Sequence, residues 1–286
     1  MTKAEPLSGE LHHEALLSLR EPQLPRSGMV MPVVRALEVL SAFSAHDGWL
    51  GNKDIAERTG LPASTVSRFL RTLVSLGFLN YNASLRQYRL AAAVLSLGYA
   101  ATSHSDVQRL VREDLVRFAC ANNVTVLLAM RDRLDLIALE SCTGNGSFRR
   151  NGLNVGTRIA ISSTQMGVTL LASLPPLERA YLLENIARRM PDGWKEPEPS
   201  LSEAIRQLRA MGFCYSLSKW ERDLGIISVP LSLPGRGLFV LTCLGSLGQM
   251  TKARVARELG PQLLALANQI RRSLDDSSGP IDGVRP

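Results

Sequence analysis

The chain has 286 residues, 45% of them hydrophobic and 21% charged, a balance that excludes a disordered or collagen-like polypeptide and is long enough for two domains with a core each. No apolar run approaches the roughly 18 residues a bilayer requires, and the N-terminus lacks the basic, apolar and small-residue segments of a secretory signal, so the reducing cytoplasm is the expected compartment and no membrane the expected partner. The net charge of +7 tolerates a nucleic acid, and its distribution says more: residues 1–52 hold four basic and six acidic side chains, whereas residues 53–89 hold six basic (Lys53, Arg58, Arg68, Arg71, Arg86, Arg89) against Asp54 and Glu57, the footprint of a phosphate-contacting surface.

Residues 1–28 mix Pro6, Gly9, Pro22, Pro25 and Gly28 with charges and no sustained apolar period, which reads as a flexible arm. The apolar positions Val33, Val34, Leu37, Val39, Leu40 and Phe43 predict a helix that stops near Asp47 and Gly48. A second helix follows Asn52, a good N-cap, and ends at Gly60; a third starts near Pro62, whose missing N–H is harmless in a first turn, and runs to Leu76 before Gly77. Residues 78–81 and 87–90 are predicted as short strands joined by a polar turn through Asn82, Ala83 and Ser84. Three helices and a hairpin over 29–91 make a winged helix-turn-helix.

Residues 92–104 begin with an Ala- and Leu-rich stretch that reads as a helical linker, and an amphipathic helix follows over 107–121. A hairpin of 125–130 and 134–140 turns at Arg131, Asp132 and Arg133; a short strand over 158–161 enters a helix that carries Met166, Leu170 and Leu171 and ends at Pro175 and Pro176. Helices over 177–190 and 201–211, strands over 213–218, 226–231 and 238–244, and a last helix over 252–274 complete a unit spanning 105–275, with 276–286 as a disordered tail. That order predicts an α+β domain on an antiparallel sheet.

A helix-turn-helix needs a small residue where its helices cross, a turn residue tolerant of positive φ, and an aliphatic anchor facing back; Ala56, Gly60 and Val66 supply these. On the third helix Val66, Phe69, Leu70 and Leu73 make an inward face. Ser64, Ser67, Arg68, Arg71 and Ser75 fall opposite, hydroxyls and guanidiniums suited to phosphates and guanine edges in a major groove. These, apart from Ser75, are candidate DNA contacts together with Thr65. Lys53, at a helix start, is either a phosphate contact or a solvated lysine, and Arg86, near the wing tip, either reaches the DNA or is a structural strand arginine.

Cys120, Cys142, Cys214 and Cys243 are widely spaced with no C-x-x-C, so they read as inert thiols rather than a zinc site or disulfide framework. His12, His13, His46 and His104 all precede residue 105, which leaves the larger part of the chain with no histidine base or ligand. There is no G-x-S-x-G elbow, no P-loop and no paired set of metal ligands, so neither an enzyme nor a bound cofactor or metal is expected.

The run from Val33 to Gly98 resembles the N-terminal domain of the isocitrate lyase regulator (IclR) family of transcription regulators, through RALEVL at 35–40, DIAERTGLPASTVSRFLRTLVSLGFL at 54–79, YRL at 88–90 and LSLG at 95–98. Similarity continues in VGTRIAISSTQMGVTLLASLP at 155–175 and GIISVPL at 225–231, and covers residues 30–272. Two positions depart from the family pattern. Arg86 and Gln87 stand where the wing usually has a glycine before YRL, and Ile226 stands where many members carry a cysteine four residues before the proline matching Pro230.

The resemblance implies a GAF-like C-terminal domain that binds a small metabolite, often a carboxylate or aromatic acid. By the match to the family's motif its pocket is closed by Ser216, Ser218 and Trp220 on one strand and its following loop, and by Thr242 and Cys243 on the last strand. The residues themselves add that Ser162, Ser163 and Met166 stand at a helix start, either an anion site or a simple N-cap, and that Met166, Trp220 and Ile227 offer apolar surface. Arg149, Arg150 and Arg158 are more simply surface or ion-paired arginines. The expectation is a regulator whose grip on an inverted-repeat operator in double-stranded DNA is controlled by a small organic acid. A homodimer or homotetramer follows, because one recognition helix touches too few base pairs. The alternative is a constitutive DNA-binding protein with a structural dimerisation domain.

Overall fold

The computed structural model describes residues 29–44, 47–103, 106–145, 153–189, 200–218, 224–233 and 236–276. The predicted arm (1–28) and residues 277–286 of the predicted tail lie outside them, as do all four histidines. The chain divides into two compact units between Thr102 and Ser103.

The first unit packs around Val39, Leu50, Ile55, Val66, Leu70, Leu73 and Leu79. Its helices are α1 (Met31–Ser41), α2 (Asn52–Thr59) and α3 (Ala63–Ser75). Gly60 ends α2 at φ +68°, its N–H reaching the Ala56 carbonyl at 2.9 Å, a left-handed cap that suits a residue without Cβ. The hairpin of β2 (Leu79–Asn82) and β3 (Gln87–Leu90) gains a third strand, β1 (Leu50–Gly51), in the order β1-β3-β2. A two-residue strand has no periodicity to detect, and it was not anticipated.

Two expectations about this unit are corrected. α1 stops at Ser41, six residues before the expected end, because the Asp47 carboxylate accepts the N–H and the hydroxyl of Ser44, each at 2.7 Å, and so offers the backbone a partner that competes with the helix. Asn52 is the first residue of α2 rather than its cap. Gly51 is the cap, its N–H donated to the Asp54 carboxylate at 2.8 Å, while Asn52 Nδ2 donates to Ser67 Oγ at 2.5 Å. After the hairpin, α4 (Ala92–Ser103) occupies the stretch read as a linker helix.

The second unit opens with α5 (Asp106–Asn122), the hairpin β4 (Thr125–Asp132) and β5 (Asp135–Thr143), and β6 (Arg158–Ala160). Helices α6 (Gln165–Ser173), α7 (Pro176–Arg189) and α8 (Ser200–Met211) precede β7 (Cys214–Ser218), β8 (Leu224–Leu233) and β9 (Gly237–Ser246). The strands form one antiparallel sheet, β6-β5-β4-β9-β8-β7, the α+β arrangement expected. Directly opposed residues of such a ladder share a face. The row Tyr215, Ile227, Cys243, Val126 and Cys142 therefore packs toward α5 and the C-terminal helix, and the next row, Cys214, Ser228, Thr242, Leu127 and Ser141, points toward α6 and α8.

The C-terminal helix α9 starts as Lys252–Arg254, widens into a π turn over Val255–Leu259 and continues as Gly260–Asp276. The wider turn sits just before Pro261, whose ring would clash with a regular preceding turn and which has no N–H to donate. Gly260 is held against Phe213, where a Cβ would fall 2.3 Å from the ring. No helix among the described residues is long and apolar enough to cross a membrane, and no cluster of metal-ligating side chains occurs among them.

Candidate functional site

On α3, Val66, Leu70 and Leu73 are buried, so helical geometry turns Ser64, Arg68 and Arg71 outward, and all three are exposed. Thr65 and Ser67 are half-buried at the edges of that face. Ser67 accepts from Asn52 and keeps its own proton to donate. Ser75, opposite the core, returns its hydroxyl to the Thr72 carbonyl at 2.8 Å. Neither Arg68 nor Arg71 has a carboxylate partner among the described residues. Arg71 lies close enough to Tyr88 to oppose the rise in its phenol pKa that burial and Tyr81 produce, which sets it beside the wing.

The chain has no carboxylate between Glu57 and Asp106, so nothing within α3 or the hairpin neutralises these cations. The six basic side chains counted over 53–89 are not equivalent, however. Arg58 forms a two-pronged pair with Asp47 at 2.6 and 2.9 Å and donates to the Ala42 carbonyl at 2.9 Å, which holds the Asp47 carboxyl well below the ordinary carboxylate range. Arg89 lies over the Trp49 ring, 4.7 Å from its centroid, and Lys53 pairs loosely with Glu57 at 3.8 Å. That leaves Arg68, Arg71 and Arg86 as the cations of this segment with no ion-pair partner among the described residues. Arg86 occupies the turn between β2 and β3 at φ +53°, taking the left-handed backbone a glycine would accept more easily.

In the second unit α6 packs on β7, β8 and β9. Its N-cap is Thr164, which accepts from Gly167 N–H at 3.2 Å and donates to the Ala160 carbonyl at 2.7 Å. Ser163 is exposed, Ser162 half-buried, and Met166 buried among the apolar side chains of this layer. Gly167 is needed for the approach, since a Cβ there would meet the Ile161 carbonyl oxygen at 2.2 Å. Beneath lie two fully buried hydroxyls, Ser228 and Thr242, 2.9 Å apart across β8 and β9. One O–H serves this bond, and the other has no acceptor among the described residues. Ser216 is half-buried two rows along, opposite Ile226.

Two expected effector residues lie on the opposite face of the sheet from Ser228 and Thr242. Ile227 and Cys243 are fully buried in the other core, toward α5 and α9, because neighbours along a strand alternate faces and Thr242 and Cys243 cannot share one. Burial pushes the Cys243 thiol up to about 12, and those of Cys142 and Cys214 to about 11, so these three stay protonated and inert. Trp220, Arg149 and Arg150 lie outside the described residues; Ser218 is placed only as the end of β7, paired with Leu224. Arg158 is ion-paired with Asp132 at 2.7 Å and Asp135 at 3.4 Å. Sequence reasoning missed Ser228, although a hydroxyl between Ile227 and Val229 in an otherwise apolar run was a signal for it.

Comparison with known proteins adds four findings. The family model of the IclR helix-turn-helix domain matches residues 32–83. The crystal structure of an IclR family transcriptional regulator from Brucella abortus is 33% identical with a TM-score of 0.75, over 86% of this chain and 92% of that one. The HTH-type transcriptional regulator TsaQ1/TsaQ2 of Comamonas testosteroni is 28% identical over 89% of this chain and 92% of its own. At 22% identity, over 84% of this chain and 99% of that one, an IclR homologue from Microbacterium hydrocarbonoxydans complexed with 4-hydroxybenzoate has the same fold, with a TM-score of 0.63.

Proposed function

The chain belongs to the IclR family of transcriptional regulators, and from that premise we propose that it binds an inverted-repeat operator as a two-fold oligomer and alters that grip when a small organic acid enters its second unit. The observation that carries the DNA half is the outward face of α3, where Ser64, Arg68 and Arg71 meet no carboxylate among the described residues and lie in a chain segment without acidic residues. Arg68, at the middle of that face, is assigned to a base edge and Arg71, beside the wing, to the phosphate backbone. Thr65, Ser67 and Lys53 are assigned supporting phosphate contacts.

Oligomerisation is supported by apolar surface that one copy leaves uncovered. On α1 Val33 is 56% and Leu37 58% exposed, and on α4 Leu95 is 75% and Leu97 58% exposed. A second copy of the same helices would cover the α1 stripe of Val33 and Leu37 and one side of α4.

The acid half rests on the hydroxyl pair. A carboxylate is the acceptor that the remaining proton of Ser228 and Thr242 lacks, and Met166 in the layer on that side of the sheet offers apolar surface for a ring or short chain. Ser162, Ser163, Ser216 and Ser218 would border this site. Titrating 4-hydroxybenzoate and related acids into the full chain should raise its melting temperature, as any ligand specific to the native state must. Thr242→Val should weaken that binding about tenfold and leave operator binding by the acid-free protein unchanged. If no acid shifts the melting curve, the effector reading fails and a constitutive DNA-binding protein is the better description.

A further inference from the structure

The sheet face that carries the buried hydroxyl pair carries a second pair as well. Thr125 Oγ1 and Thr143 Oγ1 lie 3.3 Å apart across β4 and β5, long for a bond between hydroxyls, and one of the two O–H groups has no acceptor among the described residues. The ladder sets them in the row Ser216, Ile226, Leu244, Thr125 and Thr143. That row lies two residues along each strand from Ser228 and Thr242, so it shares their face of the sheet. Ile226 and Leu244 in its middle are 5% and 6% exposed, yet neither joins the apolar core on either side of the sheet. The row holds no charged side chain.

We infer that Thr125 and Thr143 form a second polar subsite for the effector, an inference that rests on the acid reading above. Ser228 and Thr242 take the carboxylate, and Thr125 and Thr143 take an uncharged oxygen, a hydroxyl or a carbonyl, at the opposite end of the molecule. Thr242 and Thr125 stand on adjacent strands and two residues out of register, so ordinary strand spacing and rise put their Cα atoms about 8 Å apart. Leu244 and Leu127 occupy the other two corners of that parallelogram. A ring or short hydrocarbon body lying across the two leucines reaches from one hydroxyl pair to the other. A shorter acid held by its carboxylate would leave the threonines unmet and the leucines uncovered. A second carboxylate would add a buried charge to a row without a cation, which costs far more than a neutral oxygen there.

The test is calorimetry on the full chain with benzoate, 4-hydroxybenzoate and 2-hydroxybenzoate. The para hydroxyl should tighten binding about tenfold over benzoate. The ortho hydroxyl, which sits beside the carboxylate, should give no such gain. Thr125→Val/Thr143→Val removes both hydroxyls together and leaves no orphaned partner, so its melting temperature should not fall, and it should bring the affinities for benzoate and 4-hydroxybenzoate together. Thr125→Ser/Thr143→Ser keeps the hydroxyls and should keep the para advantage. Thr242→Val should weaken both acids and preserve their ratio. An absent para advantage in the wild-type chain, an equal gain from the ortho hydroxyl, or a para advantage that survives the double valine variant would overturn the subsite and leave the acid reading standing. A wild-type chain that binds none of the three overturns the subsite too, and the melting curves with the wider series of acids then decide the acid reading separately.

Discussion

The two units hold their candidate functional groups in opposite places. In the first, Ser64, Arg68, Arg71 and Arg86 stand on the surface of a seven-residue core and none of them supports it. In the second, Met166, Ser228 and Thr242 lie inside the fold, between the sheet and α6. A surface site separates binding from stability, so its residues can change without unfolding the protein. An interior site couples the two, because every group that would touch a ligand also touches the core.

The strongest test of that contrast is Gly167→Ala. The added methyl would strike the Ile161 carbonyl oxygen and Cα, at 2.2 and 2.4 Å, and backbone yields less readily than a side chain. A loss of about 3 kcal/mol is expected, seen as an earlier urea transition of the second unit while the first is unmoved. A wild-type curve would show that the layer over the hydroxyl pair is loose.

Next in size, Arg68→Ala should cost about 2 kcal/mol of operator affinity and relax preference at one base pair, whereas Arg71→Ala should weaken all duplexes alike and reduce the salt slope by about one charge. Neither should move the urea curve. If either does, the first unit does not separate binding from stability.

Ile227→Val sharpens the comparison within the second unit. It should remove about 1 kcal/mol of stability and leave acid affinity untouched, since Ile227 faces α5 and α9. Calorimetry that finds acid binding as weakened as in Thr242→Val would abolish the division between the two sheet faces.

The smallest effect concerns acid. Arg58 holds the folded-state pKa of Asp47 below its unfolded value, so the pair stabilises the first unit above about pH 4 and that contribution disappears as pH falls further. The Arg58 side chain is 41% exposed, which screens the pair and keeps the change modest. Asp47→Asn should flatten the pH dependence of this unit's unfolding below that point; a curve as steep as wild type would show that another carboxylate governs it.

What the sequence determined by itself was whatever local pattern encodes. The 3.6-residue period of Val66, Phe69, Leu70 and Leu73 names the inner face of α3 and therefore its outer face, and Pro62 and Gly77 mark its boundaries. Alternating blocks of strand and helix were enough for an α+β unit on an antiparallel sheet. Only the tertiary structure decided which charges are already engaged and which strand face meets which layer. Arg58 and Arg68 look alike in the chain, and only folding brings Asp47 to the first of them. Thr242 and Cys243 are neighbours in sequence, yet the ladder register sends one to the hydroxyl pair and the other into the apolar core. Both decisions depend on contacts between residues far apart in sequence, and no window of local propensity contains both partners of such a contact.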